Sequence, residues 1–272
     1  TTCPHLFMQF FSSNPSKAWT EKFFLIYAPF WILWFALIIY FEWYIDAKPI
    51  TWVYFTLPMT LVCIFVPLVL QPKSDRAKPF FERYWVKANV WIGILNFVGN
   101  YFWTHYFFSV LGAKYTMDTY RINNVPYLMF FATQAYFTFY HALTNVLQRA
   151  IVTGIKNPMW KKLCLVLFIA VFAYFTAFME TFTIQHFQYY TFVDRRKMYT
   201  IGSAFYALYF VVSFPMFYRI DEGARKWTIS EVAIDSLGAC MLVTILLDFW
   251  RLIAGNLHGA SMESSVSWIY QQ

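Results

Sequence analysis

The chain has 272 residues, of which 60% are hydrophobic and 24% aromatic, while only 13% carry a charge. Soluble proteins carry roughly 25% charged residues, and a soluble domain of this size cannot bury so much apolar surface in one core. A soluble globular protein is therefore excluded, and the lipid bilayer is the predicted partner. The net charge of +7 is spread between apolar runs, where it orients membrane helices, so it does not indicate nucleic-acid binding.

Seven apolar runs are long enough to cross the hydrocarbon layer of a bilayer, which takes about 20 residues. In chain order they are residues 23–41, 50–70, 86–111, 125–147, 163–184, 198–218 and 229–253. Pro58 and Pro67 predict a kink or a break in the second run, because proline removes a helical hydrogen bond. The sequence thus predicts an all-α polytopic membrane protein with one bundle of about seven transmembrane helices, six or eight being the alternatives.

Residues 1–272 are expected to form a single integral membrane domain, with the segments 1–22 and 255–272 outside the bundle. About two-thirds of the 21 lysines and arginines lie in the N-terminal segment and in every second loop. Cytosolic loops of multi-pass proteins carry the excess of positive charge, so the N-terminus is expected in the cytosol.

Five ionisable side chains fall inside the apolar runs, where such a group is a functional hypothesis by default. They are Glu180, Asp235, Asp248, His105 and His141. Most of the other acidic residues fall between the runs and are expected in loops. Helical rise puts His141 and Asp235 nearer the cytosolic side than the other three groups.

Glu180 shares a helical face with Thr176 and Thr183, which lie four residues before it and three residues after it. One interpretation is structural, with a protonated carboxyl bonded to those two hydroxyls. The other is catalytic, because a neutral carboxyl in an apolar setting can act as a general acid.

The other four groups also have two interpretations. Asp235 has no basic residue three or four positions away, so the alternative to a function is a hydrogen bond between helices. Asp248 has Arg251 at i+3, which is typical of an ion pair at the membrane interface. His105 and His141 are flanked by aromatic residues, as packed and hydrogen-bonded interior histidines often are.

A polar cluster interrupts the aromatic stretch VGNYFWTHYFF at residues 98–108, where Asn100, Thr104 and His105 stand together. In a bilayer each needs a partner, so they indicate either a site or a contact between helices. The aromatic excess indicates either interfacial belts or rings that line a cavity for a flat apolar ligand. The four cysteines are widely spaced and no His/Asp or His/Glu pair has ligand spacing, so no metal site is predicted.

Several long and unusual stretches carry a family resemblance. They are NPSKAW at 14–19, RYWVKANVW at 83–91, VGNYFWTHYFFSVLGAKYT at 98–116, NNVP at 123–126, FVDRRKMYTIGSAFYALYFVVSFPMFYRIDE at 192–222 and DSLGACMLVTILLDFWR at 235–251. Together they resemble the cyclopropyl sterol isomerases of the cycloeucalenol cycloisomerase family over nearly the whole chain. The resemblance implies an endoplasmic-reticulum enzyme that opens the 9β,19-cyclopropane ring of a 4α-methyl sterol, converting cycloeucalenol to obtusifoliol. It implies no metal and no redox cofactor.

In that reaction an acid protonates C19, positive charge develops at C9, and a base removes the C8 proton. Matching residue types to these steps, we hypothesise that Glu180 or Asp235 is the acid, and that His105 or His141 orients it or accepts the departing proton. Other candidates for contact with the sterol are rings that face the cation, amides that bond the 3-hydroxyl, and one carboxyl. These are Tyr101, Phe102, Trp103, Tyr106, Asn100, Asn123, Asn124 and Asp248.

Two other functions remain open on the sequence alone. A proton-coupled transporter would use the intramembrane acids as relay groups, although no inverted repeat is evident. A sterol-binding membrane protein would bind the same ligand without catalysis.

Overall fold

The computed structural model describes residues 8–185 and 187–255, so the predicted C-terminal tail lies almost entirely outside the described residues. The helices are α1 (Pro15–Tyr40), α2 (Pro49–Leu70), α3 (Lys73–Arg76), α4 (Tyr84–Val98), α5 (Thr104–Leu111), α6 (Tyr127–Gly154), α7 (Pro158–Thr183), α8 (Arg195–Lys197), α9 (Ser203–Tyr218) and α10 (Ile229–Ala254). A 3-10 turn spans Phe80–Glu82, and π-helical turns at Gly99–Trp103 and Met198–Gly202 join α4 to α5 and α8 to α9. The strands β1 (Lys114–Tyr115), β2 (Arg121–Ile122), β3 (Val125–Pro126) and β4 (Tyr190–Thr191) have two residues each.

The predicted apolar runs coincide with the long helical segments of this order. Within the described residues, five helical segments are long and apolar enough to cross a membrane: Pro15–Tyr40, Pro49–Leu70, Pro158–Thr183, Arg195–Tyr218 and Ile229–Ala254. The other two runs fall in residues 84–111 and in α6, which carry more polar side chains. The prediction of an all-α membrane protein is confirmed. Helix α1 begins at Pro15, earlier than the run from residue 23 indicated.

Helix α2 is continuous through Pro58 and Pro67, so the predicted break is absent. A helix surrounded by apolar groups keeps its remaining backbone hydrogen bonds because no water competes for them. Packing against α6 supports the same stretch, and Thr60 of α2 donates a hydrogen bond to the carbonyl of Phe131 at 2.6 Å.

Helix α6 is the centre of the bundle, since α1, α2, α4, α7 and α9 all pack against it. Its buried side chains include Gln134, Thr138, His141, Asn145 and Gln148. Gln134 donates to Asn89 at 3.1 Å, and Gln148 donates to the carbonyl of Phe214 at 3.2 Å. The central helix is therefore more polar than the lipid-exposed ones because its side chains find partners inside the protein.

A charged cluster of Lys17, Glu21, Arg149 and Glu222 ties α1, α6 and the α9–α10 connection together. Arg149 donates to both oxygens of Glu21, at 3.0 and 2.7 Å, and to both oxygens of Glu222, at 2.6 and 2.7 Å. Lys17 pairs with Glu222 at 2.8 Å and also donates to the carbonyl of Tyr218. Glu21 falls in the segment 1–22 that was expected outside the bundle, but it lies buried in the first turns of α1.

Short β ladders cover the opposite end of the bundle. β1 pairs with β4, which sets Tyr115 opposite Tyr190, and their rings stack 4.5 Å apart. β2 pairs with β3 through a turn in which Asn123 and Asn124 both have positive φ, at 49° and 61°. Asparagine tolerates this left-handed backbone, which a two-residue hairpin turn of this kind requires.

Candidate active site

Two cavities meet at α7. The larger has a volume of about 540 Å³ and lies between α1, α2, α6 and α7, and its wall is mostly aromatic and aliphatic. The smaller has a volume of about 60 Å³ and lies between α6, α7, α9 and the two π-helical turns. Cavities that bind small molecules have volumes of about 300–1,000 Å³, so the larger one can hold an organic ligand. Five residues line both cavities, and they are Tyr115, Met129, Glu180, Ile184 and Tyr190.

Glu180 is the carboxyl at this junction. Its Oε1 accepts a hydrogen bond from the Tyr206 hydroxyl at 2.8 Å. Its Oε2 is buried and has no hydrogen-bond partner among the described residues, although the nearby Tyr140 hydroxyl also interacts with the carboxyl. A buried carboxyl oxygen without a full hydrogen bond is costly, so it is expected to serve a ligand or a reaction.

The threonines expected beside Glu180 do not bond its carboxyl. The Thr176 hydroxyl donates to the carbonyl of Phe172 at 2.8 Å, and the Thr183 hydroxyl donates to the Glu180 carbonyl at 3.0 Å. Threonine in a helix commonly bonds a carbonyl three or four residues earlier, which removes the hydroxyl from its neighbours. The interpretation of a carboxyl held by its own helix is therefore wrong, and Tyr206 of α9 takes that place.

The π-helical turns shape the smaller cavity. Gly99 and Asn100 enter its wall from the first turn, and Met198 enters from the second. Asn100 donates to the Asn96 carbonyl and to its side-chain oxygen, at 3.0 and 2.7 Å. Such π-helical turns often occur at functional sites. Of the polar cluster that interrupts the aromatic stretch, Asn100 and Thr104 line this cavity.

Apart from Asn100, the residues predicted to contact a sterol lie outside both cavity walls, and so does His105. His105 interacts with Asn123 and packs edge-on against Phe108, with ring centroids 5.4 Å apart. Asn123 donates to the carbonyl of Tyr101 at 2.8 Å, and Asn124 completes the β2–β3 turn. These contacts connect the β2–β3 hairpin to the π-helical turn at Gly99–Trp103 and to α5.

The aromatic candidates Tyr101, Phe102, Trp103 and Tyr106 likewise serve packing. Trp103 is fully buried and donates to the Thr244 hydroxyl at 2.8 Å, while Tyr101 and Phe102 contact each other edge-on at 4.7 Å. Tyr106 donates to Asp248 at 3.5 Å, and Asp248 also forms the expected ion pair with Arg251 at 2.8 Å.

The larger cavity is lined by a different aromatic set, which includes Trp31, Phe35, Trp52, Tyr136, Phe139 and Phe172. The prediction of a ring-lined cavity therefore fits this structure with other rings than those expected. Ile32 of α1 and Phe175 of α7 line the cavity and are also exposed on the outside of the bundle, at 45% and 52%.

Asp235 and His141 belong to a separate network. Asp235 pairs with Arg219, sixteen residues away in sequence, and accepts a hydrogen bond from the Trp91 indole at 3.0 Å. His141 is fully buried, with one ring nitrogen 2.8 Å from the Phe137 carbonyl and the other 2.9 Å from Ser213. Neither residue lines either cavity, so the structure does not bring them together with Glu180.

Sequence reasoning missed Tyr206 and Tyr140, because the chain has 20 tyrosines and nothing local distinguishes these two. Their proximity to Glu180 depends on how α6 and α9 pack against α7. In the part of the chain that the structure describes, no group of three or more His, Cys, Asp or Glu side chains could hold a metal ion.

Comparison with known proteins gives one informative relative. The chain is 46% identical over 248 residues to the cycloeucalenol cycloisomerase of Arabidopsis thaliana, covering 90% of this chain and 89% of that protein. No family model and no solved structure matches. Identity at this level over nearly the full length of both proteins shows common descent and a common fold. The chain belongs to the cycloeucalenol cycloisomerase family.

Proposed function

We propose that this protein isomerises a 9β,19-cyclopropyl sterol, as the name of its relative indicates, and that Glu180 is the acid. The observation that carries the assignment is the position of Glu180, the one carboxyl in a wall of apolar and aromatic residues around a cavity large enough for a sterol. Of the described residues that line either cavity, tyrosines are the other ionisable groups.

The reaction requires one proton to enter and one to leave. Protonated Glu180 donates to C19 of the cyclopropane, the C9–C19 bond breaks, and C19 becomes a methyl group on C10. The two electrons of the broken C9–C19 bond form the new C–H bond at C19, and positive charge remains at C9. Loss of the C8 proton then leaves the C8–C9 double bond, so atoms and charge balance without an oxidant or a reductant.

Tyr206 supports the first step by bonding Oε1, since a hydrogen bond to a carboxylate stabilises the charge that remains after proton donation. We assign the acceptance of the C8 proton to the same carboxylate. Among the described residues that line the two cavities there is no histidine that could act as the base. This differs from the expectation of a histidine base. Aromatic faces in the wall stabilise the C9 cation, and the apolar lining keeps water from capturing it.

The proposal includes a location and an orientation. Sterol intermediates are apolar, so the enzyme would act from within the endoplasmic-reticulum membrane as a single multi-pass domain. The excess of lysine and arginine near the start of α1 and around the α2–α4, α6–α7 and α9–α10 connections supports a cytosolic N-terminus. Protease accessibility of tags at the N-terminus, in sealed microsomes, tests this orientation.

The direct test incubates purified protein in detergent with cycloeucalenol and analyses the extracted sterols by gas chromatography and mass spectrometry. The expected result is obtusifoliol from the native protein and none from Glu180→Gln. Asp235→Asn and Asp248→Asn are matched controls, because each removes an intramembrane carboxylate that lies outside both cavities.

The alternative outcomes separate the remaining functions. Unchanged cycloeucalenol bound to folded protein would indicate a sterol-binding protein, and substrate-dependent proton flux in liposomes would indicate a transporter. Full activity of Glu180→Gln together with an inactive Asp235→Asn would move the acid to α10.

A further inference from the structure

Two tryptophans that line the larger cavity hold buried indole N–H groups with no hydrogen-bond partner in the described part of the chain. They are Trp31 on α1 and Trp52 on α2, which are 8% and 4% exposed. Several other tryptophans of the bundle have partners, as Trp34 donates to the Phe55 carbonyl at 2.9 Å and Trp85 to Gln71 at 3.0 Å. The Trp250 indole also has no partner among the described residues, but it lies outside both cavities. An indole N–H is only a donor, so an unpaired one at the wall of a cavity can bond an acceptor that a ligand supplies.

The two indoles lie in different parts of the cavity. Trp52 is in the first turn of α2 and packs with Ile38, Met117 and Leu128 under the loop-covered end of the bundle. Trp31 is midway along α1, where its ring contacts Tyr136 at 4.8 Å. A ligand that spans the cavity can therefore present one end to Trp52 and its apolar remainder to the region of Trp31.

The threonine hydroxyls of the cavity wall are already engaged as donors to carbonyls of their own helices. Thr56 donates to the carbonyl of Trp52 at 2.8 Å, and Thr176 donates to the carbonyl of Phe172. A sterol is a rigid apolar body with one hydroxyl at one end and an alkyl chain at the other. In a bilayer its hydroxyl lies near the interface, which corresponds to the end of α2 that begins after Lys48.

We propose that the Trp52 indole donates a hydrogen bond to the 3-hydroxyl oxygen of the sterol and thereby sets which part of the sterol faces Glu180. This inference rests on the proposed function, because it takes a sterol as the ligand of the larger cavity. Trp52 is a substrate-binding and specificity-determining residue in this view, and the sterol side chain extends toward Trp31.

The test compares equilibrium binding of cycloeucalenol with binding of its 3-deoxy analogue, measured by sterol depletion from immobilised protein in detergent. One hydrogen bond in a buried site corresponds to about a three- to tenfold preference for the hydroxylated sterol. Trp52→Phe keeps an aromatic ring, although a smaller one, and removes the donor, so it should bind the two sterols equally. Trp31→Phe is the matched control and should keep the preference.

Each outcome decides the matter. A native protein that binds both sterols equally overturns the anchor without any variant being needed, even if Trp52→Phe fails to fold. A Trp52→Phe variant that keeps the full preference also overturns it. If the preference follows Trp52 but obtusifoliol is never formed, the anchor stands and the proposed catalysis fails. If the native protein converts cycloeucalenol without any preference for the hydroxyl, the catalysis stands and the anchor fails. A native protein that binds neither sterol refutes both.

Trp52→Phe also makes smaller a ring that packs against Phe55 and Phe187, so this variant should unfold at a lower temperature. Loss of packing weakens the binding of both sterols equally, so the preference for the hydroxylated sterol is the readout of the hydrogen bond. A variant that weakens both sterols equally and keeps the preference would indicate a packing role and refute the anchor.

Discussion

Tyr206→Phe tests the proposed site most directly, because it removes one hydroxyl and keeps the ring. The Tyr206 hydroxyl donates to Glu180 Oε1 at 2.8 Å, and it is the one full hydrogen bond to this carboxyl among the described residues. Tyr206 lines the smaller cavity and not the larger one. The substitution should therefore slow proton donation without changing how the sterol binds.

The magnitude follows from the charge that forms on Glu180. A hydrogen bond to a charged group contributes about 1.5–3 kcal/mol, whereas one to a neutral group contributes about 0.5–1.5 kcal/mol. The Tyr206 bond strengthens as the proton leaves, so its loss raises the barrier. The two ranges differ by about 1–1.5 kcal/mol, which corresponds to a reduction of about five- to twelvefold in kcat, with KM unchanged.

The assay is the rate of obtusifoliol formation at several cycloeucalenol concentrations for Tyr206→Phe and for Tyr209→Phe. Tyr209 is a matched control, because it lies on the same helix, lines the same smaller cavity and donates no hydrogen bond to Glu180. Native kcat in Tyr206→Phe would refute the reasoning, and so would equal losses in both variants. A rise in KM alone would show that the hydroxyl serves binding instead of proton transfer.

Three further predictions concern stability. Arg149→Met should lower the free energy of unfolding by about 3–5 kcal/mol, measured by thermal unfolding in detergent, because it leaves the carboxylate of Glu21 buried without its cation. Burial alone would raise the pKa of Glu222, but the hydrogen bonds and charges of Arg149 and Lys17 outweigh it and lower the pKa. The stability that ionised Glu222 contributes should therefore be fully present above its ordinary pKa of 4.5 and should decline as the pH falls through the lowered pKa. Glu222→Gln should abolish this pH dependence. Gly99→Ala should destabilise by about 1–2 kcal/mol, because its Cβ would lie 3.1 Å from the buried ring of Trp103, while Gly238→Ala, with open space around it, should not.

The helices could be predicted from the sequence because a bilayer imposes a length and a composition on each span. The predicted run at 229–253 differs by one residue from α10, and the capping box at Thr228 and Glu231 fixes its start. The start of α1 was missed because Lys17 and Glu21 are charged, and composition alone assigns charged residues to loops. Their partners come from α6 and the α9–α10 connection, far away in sequence.

The candidate site was only partly predictable for the same reason. Glu180 was evident from the sequence, since a carboxyl in an apolar run needs an explanation. Its partner Tyr206 was not, because one tyrosine in an aromatic helix resembles any other until packing selects it. The aromatic residues near Asn100 drew attention by their density, yet Trp103 and Tyr106 bond Thr244 and Asp248 of α10. The many rings near Asn100 therefore pack against α10. The wall of the larger cavity is formed by rings from four other helices, α1, α2, α6 and α7.

The buried polar groups of this protein divide by whether they are satisfied. The charged cluster, His141 and Asn100 have their partners within the chain, so they contribute to folding. Among the described residues, Glu180 Oε2 and the Trp52 indole lack a full hydrogen bond, and both residues line the larger cavity. A buried polar atom without a partner costs about 1–3 kcal/mol of stability, and such an atom is retained where function requires it. An acid at one point of an apolar cavity and a donor at another match a ligand with one hydroxyl and one strained ring, and such a ligand would restore stability on binding.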